Sequence, residues 1–328
     1  MHVPMSSAIL SIVICTHNRA NDATDNVSTL APQIRNRPVE IIIVDSASNP
    51  TEAQVLDRLS DIEGAQLIRL NRAGASLARN AGIARARGTW VGFLDDDVIT
   101  KPDWVDAALR RIALSAGDVG VIAGRVLPRW PQTIPDGALP PEAIGGRWKM
   151  LLSVIDDTRV YCSTRNPVGV SANYMIRRSA LDAVGGFPIA LGRVGNSLAS
   201  GEDPYVMDRI VERGFETWYD GTIVVEHKIH AIRLTPRWIA ERASHEGAVD
   251  LRKIRSLRGQ FVKAIKCAGA LPILGIMRNF DNAASEYSIR FHHDLGLLRS
   301  YIRIRGGLRP EVRQPRRLGQ SLERRRRS

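Results

Sequence analysis

Four short runs at residues 9–15, 39–44, 66–70 and 90–94 constrain the fold more than any other feature of the chain. The first, second and fourth are almost wholly apolar. The segments between them carry apolar residues at helical spacing, as in residues 76–86. A strand with no polar face has to be covered on both sides, and helices on either face of a largely parallel sheet do this. Three of the runs also end in polar residues: Cys15 is followed by Thr-His-Asn-Arg, Val44 by Asp45 and Leu94 by Asp95. In open α/β sheets ligands bind beyond the carboxyl ends of the strands. Asn18, Asp45 and Asp95 are therefore expected to converge on one crevice.

Further strands are expected at 168–176 and 216–226, and helices at 178–184 and 204–212. The Pro- and Gly-rich stretch 127–141 is expected to be a long loop. Basic helices follow at 236–248 and 251–266, with another helix at 279–305. The expected organisation is a sheet domain over 1–248, with halves at about 8–100 and 101–248. A basic helical extension covers 249–312, and 313–328, with its run Arg324–Arg327, is expected to be a disordered tail.

The formal net charge of +12 is confined to one end. Up to Ile239 the chain holds 26 basic and 26 acidic residues; from Ala240 onward it holds 20 and 8. A basic surplus points to phosphates, on nucleic acid or on an anionic membrane, but here it belongs to an appendage. No nucleic-acid-binding motif is present, and aromatic residues, at 5%, are few for base stacking; nucleic acid is not an expected partner. Three widely spaced cysteines suit a reducing compartment, so a cytoplasmic location is expected. The N-terminal apolar run reads as a strand and not as a signal peptide. The later apolar run at 267–277 is about half of what a spanning helix needs.

Asp95-Asp96-Asp97 directly follows an apolar strand. Three adjacent carboxylates repel one another, and a divalent cation such as Mg²⁺ or Mn²⁺, bridging to substrate phosphates, is the usual reason to set them together. The alternative is a solvated loop that caps a helix starting near Pro102. Gly201-Glu202-Asp203 precedes a helix. A carboxylate there can act as a general base, or the pair can simply favour the helix dipole. His292-His293-Asp294 has metal-ligand composition, but adjacent residues on a helix do not face one site, and a surface or interface role is expected.

Together these segments resemble the family-2 inverting glycosyltransferases of GT-A fold, from Leu10 to about Gly247. The matching pieces occur in family order: residues 11–19 (SIVICTHNR), 43–48 (IVDSAS), 74–82 (GASLARNAG) and 93–98 (FLDDDV), then 173–178 (NYMIRR), 184–187 (VGGF), 201–203 (GED) and 225–227 (VEH). The resemblance implies a nucleotide-diphosphate-sugar donor, a divalent metal, and a glycan or lipid-linked acceptor, in bacterial surface-polysaccharide or glycoconjugate synthesis. It implies that Thr16, Asn18, Arg19, Asp45, Ser46, Arg79 and Asn80 form the nucleotide wall. Asp95 and Asp97 match the DxD pattern, with Asp96 between them at the donor site. Asp97 is the expected direct metal ligand, Asp95 binds ribose or the metal, and His227 completes the shell, with His230 as the alternative ligand. Asp203 matches the catalytic base, Glu202 its acidic neighbour, and Asn173 the sugar or acceptor pocket.

Two other readings compete. A sugar nucleotidyltransferase would want a Gly-rich, Arg-containing loop after the first strand, and residues 15–19 contain no glycine. A non-catalytic membrane- or nucleic-acid-binding protein on a degenerate scaffold would be expected to have lost its acidic positions, yet Asp45, Asp95, Asp97 and Asp203 are all present. Beyond Gly247 the resemblance fades. Lys263, Lys266 and Arg278 flank the apolar run at 267–277, and such a segment suits the surface of an anionic membrane, which makes a peripheral attachment to the inner face of the cell membrane the expectation. Oligomeric state is not readable.

Overall fold

The computed structural model describes residues 8–164, 168–193, 201–253, 256–280 and 286–305. Its first half is the expected alternation. Strands β1 (Leu10–Thr16), β2 (Val39–Ser46), β3 (Ala65–Leu70) and β4 (Trp90–Asp95) lie parallel in the order β3-β2-β1-β4. Helices α1 (Ala20–Ile34), α2 (Pro50–Asp57) and α3 (Ala75–Arg85) connect them. Asn49 caps α2 by accepting from the Glu52 amide, with Pro50 at the first helical position, where its missing N–H costs nothing.

Both faces of β1 are sealed, as its composition requires. Ile12 and Ile14 pack into a core shared with α1, α2 and α4 (Trp104–Ala113). Val13 packs into the opposite core, with Ala78 and Ile83 of α3. All three β1 side chains are at most 1% exposed, and each contributes about 2 kcal/mol of burial. Helix α3 presses on β1 through Gly82, where an added Cβ would come within 2.4 Å of Val13 Cγ1.

The second half extends the sheet in mixed fashion. β4 pairs antiparallel with β8 (Tyr174–Arg177), and β8 pairs with β6 (Val119–Arg129), which runs parallel to β9 (Glu216–Lys228). The short strands β5 (Val98–Thr100) and β7 (Val160–Ser163) both attach to β9. Helices α6 (Arg178–Val184) and α7 (Glu202–Glu212) cover the α3 face. The strand expected at 168–176 is confined to β8. The loop expected from 127 begins only after Arg129, since β6 carries Pro128 near its end, where a missing N–H is tolerated.

Helix α5 (Gly146–Leu151) and the three helices α8 (Pro236–Lys253), α9 (Leu257–Phe280) and α10 (Glu286–Arg305) complete the described chain. α8 runs past residue 248. It crosses α10 at two glycines: a Cβ on Gly247 would lie 1.9 Å from the His293 carbonyl, and one on Gly296 would lie 2.0 Å from that of Ser244. The apolar run at 267–277 is not a separate element. It lies inside α9, which continues through Pro272, and Cys267 is buried beside Leu251, Ala264 and Leu297. Among the described residues no helix is long and apolar enough to cross a membrane. The tail at 313–328 lies outside the described residues.

Candidate active site

Parallel register aligns the polar strand ends. Thr16 stands opposite Asp45 and Cys15 opposite Asp95. The pairing of β5 with β9 sets His227 opposite Val98, and the Lys228 amide donates to the Asp97 carbonyl at 2.8 Å. One crevice results, lined by Asp95, Asp96, Asp97, His227, Glu202 and Asp203 together with five arginines, Arg19, Arg79, Arg193, Arg233 and Arg242.

Ligand atoms of Asp95, Asp97 and His227 lie within 4.8 Å of one another. The His227 Nδ1–H donates to the Leu152 carbonyl at 2.9 Å, which leaves Nε2 facing the crevice, 3.0 Å from Arg233 Nη1 and 3.2 Å from Asp97 Oδ1. A carbonyl that fixes the tautomer in this way is the usual support of a metal-binding imidazole. Two carboxylates and an oriented imidazole fit Mn²⁺ or Mg²⁺. His230 is less well placed, with Nε2 3.6 Å from Asp97 and 3.4 Å from Asp22.

Asp97 is 1% exposed and also meets two guanidinium groups: Arg19 Nη1 at 2.7 Å and Arg233 Nη2 at 2.8 Å. Burial works to raise its pKa, but His227 and Arg233 prevail and hold it well below the usual carboxylate range. Asp96 has no exposed surface and meets Arg19 Nη2 at 2.5 Å. Burial pushes it up to about 7 against the pull of Arg19.

The acidic pair at the start of α7 divides into two environments. Glu202 is buried against Arg79 Nη1 at 2.8 Å, and burial, with Asp203 alongside, raises its pKa. Asp203 is the more open of the two, with its side chain 23% exposed. It accepts from the Tyr174 hydroxyl at 2.8 Å, and Arg79 Nη1 lies 3.6 Å away. Burial opposes the charge on Arg79, but Asp203 and Glu202 outweigh it and keep the guanidinium firmly protonated. The crevice thiol is a poor nucleophile, since burial pushes Cys15 up to about 12.

The loops after β1 and β2 are laced together. Asn18, at φ 54°, accepts from the Asn49 amide at 2.8 Å, and its own N–H donates to Ser48 Oγ. Asp45, 2% exposed, accepts from the Ser48 amide and lies 3.5 Å from Arg69 Nε. Ser46 Oγ accepts from the Gly74 amide, and Thr16 is buried. The expected wall residue Asn80 and the expected pocket residue Asn173 both bond protein groups. Asn80 clasps the peptide of Phe187, donating to its carbonyl and accepting from its amide. Asn173, with no exposed surface, accepts from Trp104 Nε1 and donates to the carbonyls of Arg125 and Ile223.

Several crevice residues have no signal of their own in the sequence. Tyr174 lies inside a matched motif but reads as a strand residue. Arg233, Trp238 and Arg242 come from the segment after β9 and from α8, and the fold brings them into the crevice, Arg233 against Asp97. Arg193 faces the same crevice; burial and the nearby Arg242 and Arg233 lower its pKa.

The sheet order is that of a GT-A fold. The mannosyltransferase PcManGT from Pyrobaculum calidifontis, solved in complex with GDP-Man and Mn²⁺, matches with a TM-score of 0.60 over 91% of this chain and 88% of that one, at 16% identity. The model of glycosyl transferase family 2 matches residues 11–185, more than half of the chain, and the chain belongs to that family. A pre-mycofactocin glycosyltransferase of Mycobacterium tuberculosis is 27% identical over 252 residues, 75% of this chain and 48% of that protein. This chain thus spans about half the length of that relative. The succinoglycan biosynthesis protein ExoM of Rhizobium meliloti is 22% identical over 249 residues, 75% of each chain.

Proposed function

We propose that this protein is a metal-dependent inverting glycosyltransferase that moves a sugar from a nucleotide-diphosphate donor to a hydroxyl of a glycan or lipid-linked acceptor. The setting is bacterial surface-polysaccharide or glycoconjugate synthesis in the cytoplasm. One observation carries the reading: an open carboxylate, Asp203, shares a crevice with the Asp95–Asp97–His227 ligand set. Asp203 takes the proton from the acceptor hydroxyl as that oxygen attacks the anomeric carbon. Tyr174 and Arg79 orient its carboxylate. Single displacement inverts the centre and needs no enzyme nucleophile, which agrees with the inert Cys15. Asp95, Asp97 and His227 would hold the divalent ion, which when bound neutralises the charge developing on the nucleoside diphosphate.

Charge balance supports the same reading. Five arginines face five carboxylates in the crevice, so a divalent cation and a doubly charged donor enter together without leaving net charge in a buried site. Thr16, Asn18, Arg19, Asp45 and Ser46 form the nucleotide side. The test is a panel of nucleotide sugars scored for donor turnover with Mn²⁺, with Mg²⁺ and with chelator. One donor is expected to turn over, and only with metal. No turnover of any donor under any condition would favour a binding protein on this scaffold.

A further inference from the structure

The helical extension shows solvent a group of apolar side chains. Phe261, Val262 and Ile265 of α9 are 48%, 43% and 55% exposed, and Ile302 of α10 is 61% exposed. The Phe261 ring lies 6.4 Å from that of Tyr301, so the two helices present one patch. At 3.6 residues per turn, Val262 and Ile265 fall opposite the buried Ala264 and Cys267 and share their side of α9 with Arg258 and Lys266.

Beside the patch, Arg147 of α5 and Lys263 and Lys266 of α9 line a cleft of about 370 Å³ with Arg290 and His293. Two carboxylates enter it, but both are engaged. His293 Nε2 lies 3.1 Å from Asp250, its Nδ1 lies 2.9 Å from Asp294, and Arg290 is 4.0 Å from Asp294. Hydrogen bonding to Asp250, then to Asp294, raises His293 to about 9, so the ring is an imidazolium at neutral pH. No ion pair joins Arg147, Lys263 or Lys266 to a carboxylate among the described residues. The cleft therefore faces outward with uncompensated positive charge.

We infer that this face docks on an anionic phospholipid surface. Phe261, Val262, Ile265 and Ile302 enter the boundary between headgroups and acyl chains, and the Arg147–Lys263–Lys266 cleft takes a lipid phosphate. Apolar side chains framed by cations are the composition of an interfacial helix. A second copy of the chain is disfavoured as occupant, because it would bring the same unpaired cations face to face. Nucleic acid would leave the four apolar side chains against a phosphate backbone. The location has a consequence for the crevice: Asp250 at the cleft and Arg242 at the crevice are both on α8, separated by about 12 Å of helix rise. A bilayer under the extension thus lies close to the crevice mouth. The inference stands on this face and not on the transfer reaction.

The test is flotation of the full chain with phosphatidylcholine vesicles, with and without phosphatidylglycerol, at low and high salt. Binding only to the anionic vesicles, weakened by salt, is expected. At about fivefold per cation, the double variant Lys263→Gln, Lys266→Gln is expected to lower partitioning roughly 30-fold. Ile265→Ser is expected to lower it further. Circular dichroism and donor turnover in solution should match the parent in both variants. Equal binding to neutral vesicles overturns the inference, as does parent-like binding by both variants. So does loss of binding only when Arg324–Arg327 are neutralised. Saturable binding of inorganic phosphate without vesicle binding, or an Ile265→Ser change from dimer to monomer that leaves vesicle binding intact, would contradict it equally.

Discussion

The crevice and the extension handle charge in opposite ways. In the crevice, arginines and carboxylates are paired and largely buried: Arg19 spans Asp96 and Asp97, and Arg79 joins Glu202 and Asp203. In the extension, the carboxylates Asp250 and Asp294 are absorbed by His293, and Lys263 and Lys266 face outward. Paired charge arranged in advance can stabilise a reacting diphosphate without attracting every anion in solution. Unpaired charge on an apolar face attracts a surface. The +12 of the chain is therefore a property of one end, and chemistry is assigned to the neutral part.

The comparison can be broken most severely at Asp97. Asp97→Ala removes a proposed metal ligand and the carboxylate that Arg19 and Arg233 share. Losing several kcal/mol of transition-state stabilisation slows turnover about a thousandfold or more, while vesicle binding should be untouched. Parallel turnover and flotation assays check both halves. Next in size is Tyr174→Phe, which removes a hydrogen bond to a charged group worth about 1.5–3 kcal/mol. A kcat lower by roughly 10- to 100-fold with unchanged donor KM is expected, because the hydroxyl orients Asp203 and does not hold the donor.

At the other region, Gly247→Val forces a side chain into the His293 carbonyl and separates α10 from α8. Overpacking costs about 1–3 kcal/mol, read as a lower melting temperature with reduced vesicle binding. The smallest expected effect concerns pH. His293 has its folded-state pKa raised from 6.5 to about 9 by Asp250 and Asp294. The stabilisation is then fully present below about pH 6.5 and is lost as pH rises through about 9. Proteolysis of α10 should accelerate over that range, and His293→Gln should flatten the dependence.

Much of the fold was legible because β1, β2 and β4 are apolar on both faces, which admits few arrangements. The short strands β5 and β7 were not, since three or four residues carry no period and both exist by pairing with β9. The cluster Asp95, Asp97 and His227, which could hold a metal ion, and the carboxylate Asp203 lie in segments singled out by motif order. Asn80 and Asn173 sit in matched motifs, yet their amides bond backbone groups, a role that motif matching does not distinguish from ligand contact. Tyr174 and Arg233 became visible only when the sheet set them beside Asp203 and Asp97. On α9 the exposed apolar face lies at 261–265, one turn before the run at 267–277, because α10 covers Cys267 and decides which side of the helix is buried.

The central claim is that Asp203 is the base of a metal-dependent transfer. The direct measurement is Asp203→Asn, with donor affinity by calorimetry in Mn²⁺ and transfer rate by product formation, side by side with the parent. The expected result is unchanged donor affinity with a rate lower by about 10²–10⁴. A variant that transfers at the parent rate would contradict the account.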